Sequence, residues 1–389
     1  MGKAKLAVRH PGWLKVAQLF QCASAAAASF HDDSGPARVL KSEQGHWSPP
    51  PLLSNKTAYE VAGSSLETRA IHSNYNSYTM AKILVVVGAT GQQGGSVVDA
   101  VLRDAQLSKE YTIRGTSRDP DQASAQALAK KGVEVVKADV EDAASLKQAF
   151  DGAHVVFANT VTVYDGHTYE HEVNHGRALA DAAVAAGVPY YIWSTLPNAG
   201  KISGGKLKNM GHFDGKEEVE QYIRTLPMKS AFFAPGSFMS NFGATMTPHP
   251  VGEGNYALFN FVSAETNLPL IDTARDTGKW IAAILADFPK YEGKVLSAAT
   301  ALYSFSEIVD TMSKASGKSV SYKQLPEETW RGFLPPPMKD HVAEMMQYFQ
   351  DYGYYGEDTE EKVKWSAEQA HGQLTTLDEY FQATPLQLG

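Results

Sequence analysis

Apolar residues fall into two alternating patterns along most of this chain. From Met80 onward, short continuous apolar runs are separated by stretches with helical spacing. Ile83–Val87 is uninterrupted, as expected of a parallel strand buried on both faces. Val97, Val98, Val101 and Leu102 then recur at helical spacing. Further strands are predicted at Tyr111–Ser117, Val133–Lys137, Val155–Ala158, Tyr190–Ser194 and Met228–Phe233. Helical patterns fill the intervals, notably Leu179–Ala186, closed by Gly187 as a C-terminal cap. Such alternation predicts an α/β fold, a doubly wound parallel sheet of right-handed βαβ units. After Pro235 the pattern loosens into turns and aromatics, then resumes as helices near Arg275–Ala286, Ser304–Ser316 and Lys339–Phe349. Residues 80–234 are thus read as the sheet core. Residues 235–389 are read as a smaller α/β lobe, interleaved with the core and closing over the sheet's carboxyl edge.

Residues 1–79 show no sustained periodicity. They contain the run Ala25–Ala28 between Ser24 and Ser29, the run Pro49-Pro50-Pro51, and no acid before Asp32. The expectation is a disordered extension ahead of a working start at Met80, with a mitochondrial presequence as the alternative. Across 389 residues, 43% apolar and 20% charged is ordinary for a globular protein. A net charge of -8 without a basic block argues against a direct nucleic-acid surface. Cys22 is the only cysteine, so neither an internal disulfide nor a cysteine-based zinc site is available. No apolar run approaches the roughly 18 residues of a membrane span. A cytoplasmic monomer or homodimer is expected, with the nucleus and mitochondria as alternative locations.

The chemistry begins at Gly88-Ala89-Thr90-Gly91-Gln92-Gln93-Gly94, between the first strand and the first helix. Gly88 permits the tight turn, Gly91 admits the pyrophosphate of a dinucleotide, and Gly94 lets helix and strand pack closely. The helix N-terminus offers free N–H groups and a positive dipole end to phosphates. In this strand-then-helix context the turn is the fingerprint of a Rossmann dinucleotide-binding domain. The second strand ends in Thr116-Ser117-Arg118 rather than in an acid. Ser117 and Arg118 suit a ribose 2′-phosphate, which favours NADP(H) and keeps NAD(H) as the alternative. Asp139, after the third strand, is either an adenine contact or a helix cap. Thr90, Gln92, Gln93 and Asn159 complete the expected cofactor-binding set.

His212-Phe213-Asp214-Gly215-Lys216 places a lysine one helical turn after a histidine. Short-chain dehydrogenases use Tyr and Lys at this spacing, the Lys lowering the phenol's pKa and gripping the nicotinamide ribose. Here His212 stands at the Tyr position and could relay a proton near neutral pH. The competing reading is a surface helix in which Lys216 pairs with Glu220. Ser194 and Thr195, closing the fifth strand, stand where the usual hydroxyl partner is found, so His212, Lys216, Ser194 and Thr195 are the catalytic candidates. His171-Glu172-Val173-Asn174-His175 matches the zinc motif H-E-x-x-H, but no Glu lies between Asn174 and Gly211 as third ligand, and Ala178 stands where a metzincin needs Gly. It is read as a coincidence on a crossover helix, with no metal site.

Taken together, the chain from Met80 to about Phe381 resembles the NmrA-like family of atypical short-chain dehydrogenases. The resemblance is carried by Val87–Gly94, Thr116–Pro120, His212–Lys216 with Glu218–Tyr222 after it, Pro235–Phe242 and Leu374–Phe381. It implies one of two functions. One is an oxidoreductase acting on a small organic substrate, as in fungal specialised metabolism. The other is an NADP(H)-binding redox sensor that regulates a transcription factor or other protein partner. Absence of the catalytic Tyr is common among the sensors. Lys216 would grip the ribose in either case.

Overall fold

The structure is a computed structural model and describes residues 81–388. The extension, Cys22 and Met80 lie outside the described residues. Seven parallel strands form the main sheet: β1 (Lys82–Val86), β2 (Tyr111–Ser117), β3 (Glu134–Lys137), β4 (Ala153–Ala158), β5 (Tyr190–Ser194), β6 (Lys229–Pro235) and β11 (Val295–Ala298). Their spatial order is β11-β6-β5-β4-β1-β2-β3. Strand order reverses between β1 and β4, and the crevice beyond their carboxyl ends is where such sheets bind ligands.

Six of these strands stand where the apolar runs place them. The seventh is supplied by the lobe: β11 returns after residue 235 and pairs with β6, Val295 opposite Phe232 and Ala298 opposite Pro235. Four residues interrupted by Ser297 give no periodic signal, so only pairing with β6 makes them a strand. The lobe adds two three-stranded sheets. One joins β7 (Ser237–Phe238), β10 (Asn267–Ile271) and β12 (Ala301–Ser304); the other joins β8 (His249–Gly252), β9 (Asn255–Asn260) and β13 (Val320–Gln324).

The pleat of the main sheet sorts its side chains into two cores. Leu84, Val86, Phe157, Ile192 and Phe233 face one side, under α1 (Gln92–Arg103) and α6 (Thr273–Ala286). Val85, Val156, Ala158, Tyr191, Trp193 and Phe232 face the other. Helices α2 (Ala123–Lys130) and α3 (Ala143–Phe150) cover the sheet near β3, and α4 (Thr168–Ala185) and α5 (Gly211–Ile223) pack together over the second face. A third core fills the lobe, where α7 (Phe305–Ser316), α8 (Lys339–Tyr352), α9 (Thr359–Gln369) and α10 (Leu377–Ala383) gather Phe305, Tyr348, Phe349 and Phe381. Buried phenols join lobe to sheet: Tyr355 donates to the Ala234 carbonyl at 2.9 Å and Tyr354 to the Pro235 carbonyl at 3.1 Å.

The seam between α1 and α6 is built from small residues. A methyl group at Gly278 would lie 2.2 Å from the Ser96 carbonyl oxygen and 2.5 Å from the Ala100 Cβ. The Gly278 N–H donates to Ser96 Oγ at 2.9 Å. Gly278→Ala therefore forces the helices apart. Overpacking of this kind costs about 1–3 kcal/mol net of the helix propensity gained, whereas Gly243→Ala, which meets no atom within 4 Å, should be neutral. Urea unfolding of the two variants checks the difference.

Candidate functional site

The glycine-rich turn occupies the switch point. Gly88 follows β1 with φ +66, a left-handed backbone that glycine adopts without strain. A Cβ at Gly94 would lie 2.3 Å from the Gly88 carbonyl oxygen, so nothing larger than hydrogen allows α1 this close to the strand. Gly91 is the N-cap of α1, is exposed, and supplies no side chain to cap the first-turn N–H groups. Those groups have no partner within the helix either. The result is an uncapped positive helix end at the mouth of the crevice, which fits a pyrophosphate. Thr90 is half-buried within the turn. Asn159, at the end of β4, faces Gly88 across the switch point, its Oδ1 3.2 Å from where a Gly88 Cβ would stand.

Other cofactor candidates divide between internal and free groups. Arg118 is exposed and makes no ion pair or hydrogen bond among the described residues, so its guanidinium is available to a phosphate. Ser117 instead closes a local turn, its hydroxyl donating to the Asp119 carbonyl at 2.9 Å and accepting from Gln122 Nε2. The Asp139 carboxylate accepts from the Glu141 N–H at 3.1 Å, while Asp142 is the residue that caps α3. Gln93 Oε1 accepts from Ser194 Oγ at 2.8 Å, and Gln92 Oε1 from Ser240 Oγ at 3.4 Å. Both glutamines thus tie the turn to neighbouring elements.

The two hydroxyls closing β5 part company because the pleat alternates. Ser194 shares the side of Ile192 and reaches the glycine-rich turn. Thr195 shares the side of Trp193; its hydroxyl lies 3.4 Å from the carbonyls of Leu196 and Lys216, with 1% of the residue exposed. Thr195 is a backbone contact to α5 and is not aimed into the crevice.

His212 and Lys216 lie on a buried stripe of α5 with Val219 and Ile223. The surface pairing of Lys216 with Glu220 does not form, since Glu220 accepts from Arg224 at 2.7 Å. Lys216 Nζ instead donates to Glu172 Oε2 at 2.8 Å, with 9% and 1% of the two side chains exposed. It also donates to Thr160 Oγ1, and lies 5.7 Å from the centre of the Trp193 ring. Thr160 donates in turn to Glu172 Oε2, and Thr162 to Oε1 at 2.6 Å. Close packing of α4 and α5 makes the pairing possible: a Cβ at Gly215 would fall 2.8 Å from the Cβ of Glu172. Removing one partner of such a buried pair costs about 3–5 kcal/mol. Glu172 belongs to the H-E-x-x-H run, and its role as an ion-pair partner is not read from that motif. The signal was its phase, since Glu172, Gly176, Leu179, Ala180 and Ala183 form the buried stripe of α4. His171 pairs with Asp165 and His175 with Glu141, and no group of three metal-capable side chains exists among the described residues.

His212 sits in an aromatic cage. Its ring centroid is 4.5 Å from that of His341 on α8, 4.6 Å from Phe213 and 6.0 Å from Tyr164 on the β4–α4 loop. His341 is carried in by a stitched turn: its Nδ1 donates to the Asn209 carbonyl at 2.8 Å, and Glu344 accepts from the Lys208 and Asn209 N–H groups at 2.7 Å each. His212 Nδ1 is buried without a partner. Burial first, then the neighbouring His341 and Lys216, hold His212 well below the ordinary histidine range. Burial likewise lowers His341, and it pushes the Tyr164 phenol up to about 12. His212 is therefore a neutral imidazole near pH 7. A ring held that low does not titrate near neutrality, unlike the relay that its sequence position suggests.

Comparison with known proteins now adds to this geometry. Residues 80–381 match the model of the NmrA-like family. The "NmrA-like family domain-containing oxidoreductase FrzB" of Cladobotryum sp is 29% identical over 272 residues, covering 65% of this chain and 79% of that protein. Among solved structures, NmrA, described as a negative transcriptional regulator in complex with NADP, superposes with a TM-score of 0.64 at 20% identity, over 79% of this chain and 98% of NmrA. Citrobacter sp. triphenylmethane reductase, solved with NADP(H), gives 0.62 at 21% identity over 78% of this chain and 99% of the reductase. These structures share the fold, and the family match extends over the whole sheet and lobe: this chain belongs to the NmrA-like family.

Proposed function

We propose that this protein is an NADP(H)-dependent oxidoreductase acting on a small organic substrate. The observation that carries the reading is the coincidence, along the carboxyl edge of β1 and β2, of the uncapped α1 N-terminus beyond Gly91 and an exposed Arg118 without a partner among the described residues. The helix end would hold the pyrophosphate and Arg118 the 2′-phosphate. Lys216 would hold the nicotinamide ribose. The oxidoreductase name of the Cladobotryum relative and the NADP(H) of the reductase structure support the same reading. A nicotinamide cofactor supplies a hydride when bound. The chain must then orient the acceptor, exclude water and place a hydrogen-bond donor on the oxygen that gains charge. His212 suits that last task, because a neutral imidazole kept in an apolar cage can donate without being an acid. Ser194 Oγ, whose one hydrogen goes to Gln93 Oε1, would be the alternative donor once that bond is exchanged for the substrate.

A second reading follows from one feature. The position usually held by the catalytic Tyr is His212, which is 8% exposed, and the regulator NmrA shares the fold. A redox sensor would retain Arg118 and Lys216 while lacking turnover. Tight NADPH binding with no oxidation of NADPH by a panel of quinones and carbonyl compounds would favour the sensor.

Titration calorimetry should give tighter binding for NADP(H) than for NAD(H). A hydrogen bond to a charged group contributes about 1.5–3 kcal/mol, so Arg118→Ala should cost NADPH roughly tenfold to a hundredfold and leave NADH unchanged. Equal losses for both nucleotides would remove Arg118 from the 2′-phosphate.

His212→Ala should lower kcat by about 10²–10³, the usual cost of losing a positioned hydrogen-bond donor to an oxygen that gains charge, with NADPH affinity nearly intact. Steady-state rates read beside calorimetry make the distinction. Undiminished turnover in this variant would pass the role to Ser194 or to water.

A further inference from the structure

We infer that Glu172 is a positioning residue for the nucleotide site: with Thr160 it fixes the Lys216 ammonium, leaving one of its N–H groups to the ligand. The inference rests on the reading of Lys216 as the ribose-holding group. An ammonium carries three donors. Two are engaged, one by Glu172 Oε2 at 2.8 Å and one by Thr160 Oγ1. The third has no partner among the described residues. Both Glu172 oxygens are also occupied, Oε2 by Lys216 and Thr160 and Oε1 by Thr162.

A buried pair of this kind is a poor device for stability alone, since well-packed apolar residues commonly do as well. It does hold a charged group at one place, with 9% of the lysine side chain and 1% of the glutamate side chain exposed. The three hydroxyl and carboxylate partners come from two consecutive pieces of chain, the loop after β4 and the first turns of α4. The carboxyl end of β4 borders the switch point, because Asn159 lies beside Gly88 there. The donor left over is thus held next to the strand end that borders the crevice.

The same arrangement makes a claim about pH. A buried lysine that loses its carboxylate partner gives up its proton at lower pH. The titratable groups around Lys216 are Glu172 on α4, Tyr164 on the β4–α4 loop, His212 and Glu220 on α5, and His341 on α8. Both histidines are held below the ordinary range, and Tyr164 is pushed up to about 12. Glu220 is paired with Arg224. Both histidines stay neutral and Tyr164 stays protonated between pH 7 and 9, so a pH dependence that appears only in the Glu172→Gln protein reports the loss of the Lys216–Glu172 pair.

The test is a double-mutant cycle on NADPH affinity, read by calorimetry in the full chain from pH 7 to 9. Melting temperatures are recorded for each variant. Glu172→Gln should weaken NADPH about tenfold at pH 7. Its affinity should fall further as pH rises, while the unaltered protein stays flat. Lys216→Met should also weaken binding, and adding Glu172→Gln to it should change affinity no further, because Glu172 acts only through the lysine. Additive losses, or a flat pH profile in Glu172→Gln, would overturn this inference alone. Unchanged affinity in Lys216→Met would overturn the ribose-holding role of Lys216 and this inference with it. If Glu172→Gln does not fold, Thr162→Val removes only the hydroxyl on Oε1. It should weaken NADPH severalfold in the same lysine-dependent way, and an equal loss in the Lys216→Met background would count against the proposal.

Discussion

The whole arrangement hangs on how closely α1 approaches the end of β1. A Gly94 Cβ would meet the Gly88 carbonyl at 2.3 Å, so the helix starts directly on the strand's carboxyl end rather than beside it. That contact aims the open N–H groups of α1 along the crevice between β1 and β4. It also places Gln93 under Ser194 and Gln92 under Ser240, linking the turn to β5 and to the first segment of the lobe. On the other flank, Ser96 and Ala100 of the same helix meet Gly278, so the position of α1 sets that of α6 as well. Through α6 the constraint reaches the C-terminal segment: Asp276, fully buried, accepts from the Thr375 N–H and hydroxyl at 2.9 and 3.0 Å.

The opposite face of the sheet is organised by charge. Glu172 and Lys216 each stand in the apolar stripe of their own helix, and each would be costly there alone. Paired, and joined by two threonine hydroxyls, they tie α4, α5 and the loop after β4 into one unit. Neutral His212 lies one turn away, beyond the pair, where an aromatic cage stands in place of a polar partner for its Nδ1. The crevice is thus bordered by two electrostatic regimes, a solvent-facing positive end at α1 and Arg118 and an internally compensated one around Lys216.

Much of this was legible from the residues. Strands β2 and β5 read to the residue: β5 is an uninterrupted apolar run closed by Ser194, and β2 alternates Tyr111 and Ile113 with Thr112 and Arg114 between Glu110 and Arg118. The glycine-rich turn read correctly as a turn between strand and helix, since its spacing reflects a local steric need. Elements whose existence depends on a distant partner did not read. β11 is a strand only beside β6, and the small lobe sheets hold short segments such as Ser237–Phe238. Within the site, Lys216 stood out by its spacing from His212, while Glu172 was hidden by a motif that pointed to metal. Periodicity would have recovered it, because an acid in phase with Leu179 and Ala183 must face something positive. The cage around His212 was beyond reach, as His341 and Tyr164 come from elements 129 residues later and 48 residues earlier in the numbering.

The small-residue seam between α1 and α6 also bears on synthesis. Roughly 180 residues separate the end of α1 from the end of α6, which at about 5–20 residues per second leaves a nascent α1 waiting for its partner on the order of 10–40 s. Had the seam been a ridge of leucines, that interval would expose a sticky surface on every ribosome. Ser96 and Ala100 add little apolar area to that surface, though the valines of α1 and the sheet face beneath still wait for Trp280, Ile281 and Ile284 to cover them. Gly278 then lets those side chains seat, because without a Cβ the two helix backbones can close to contact.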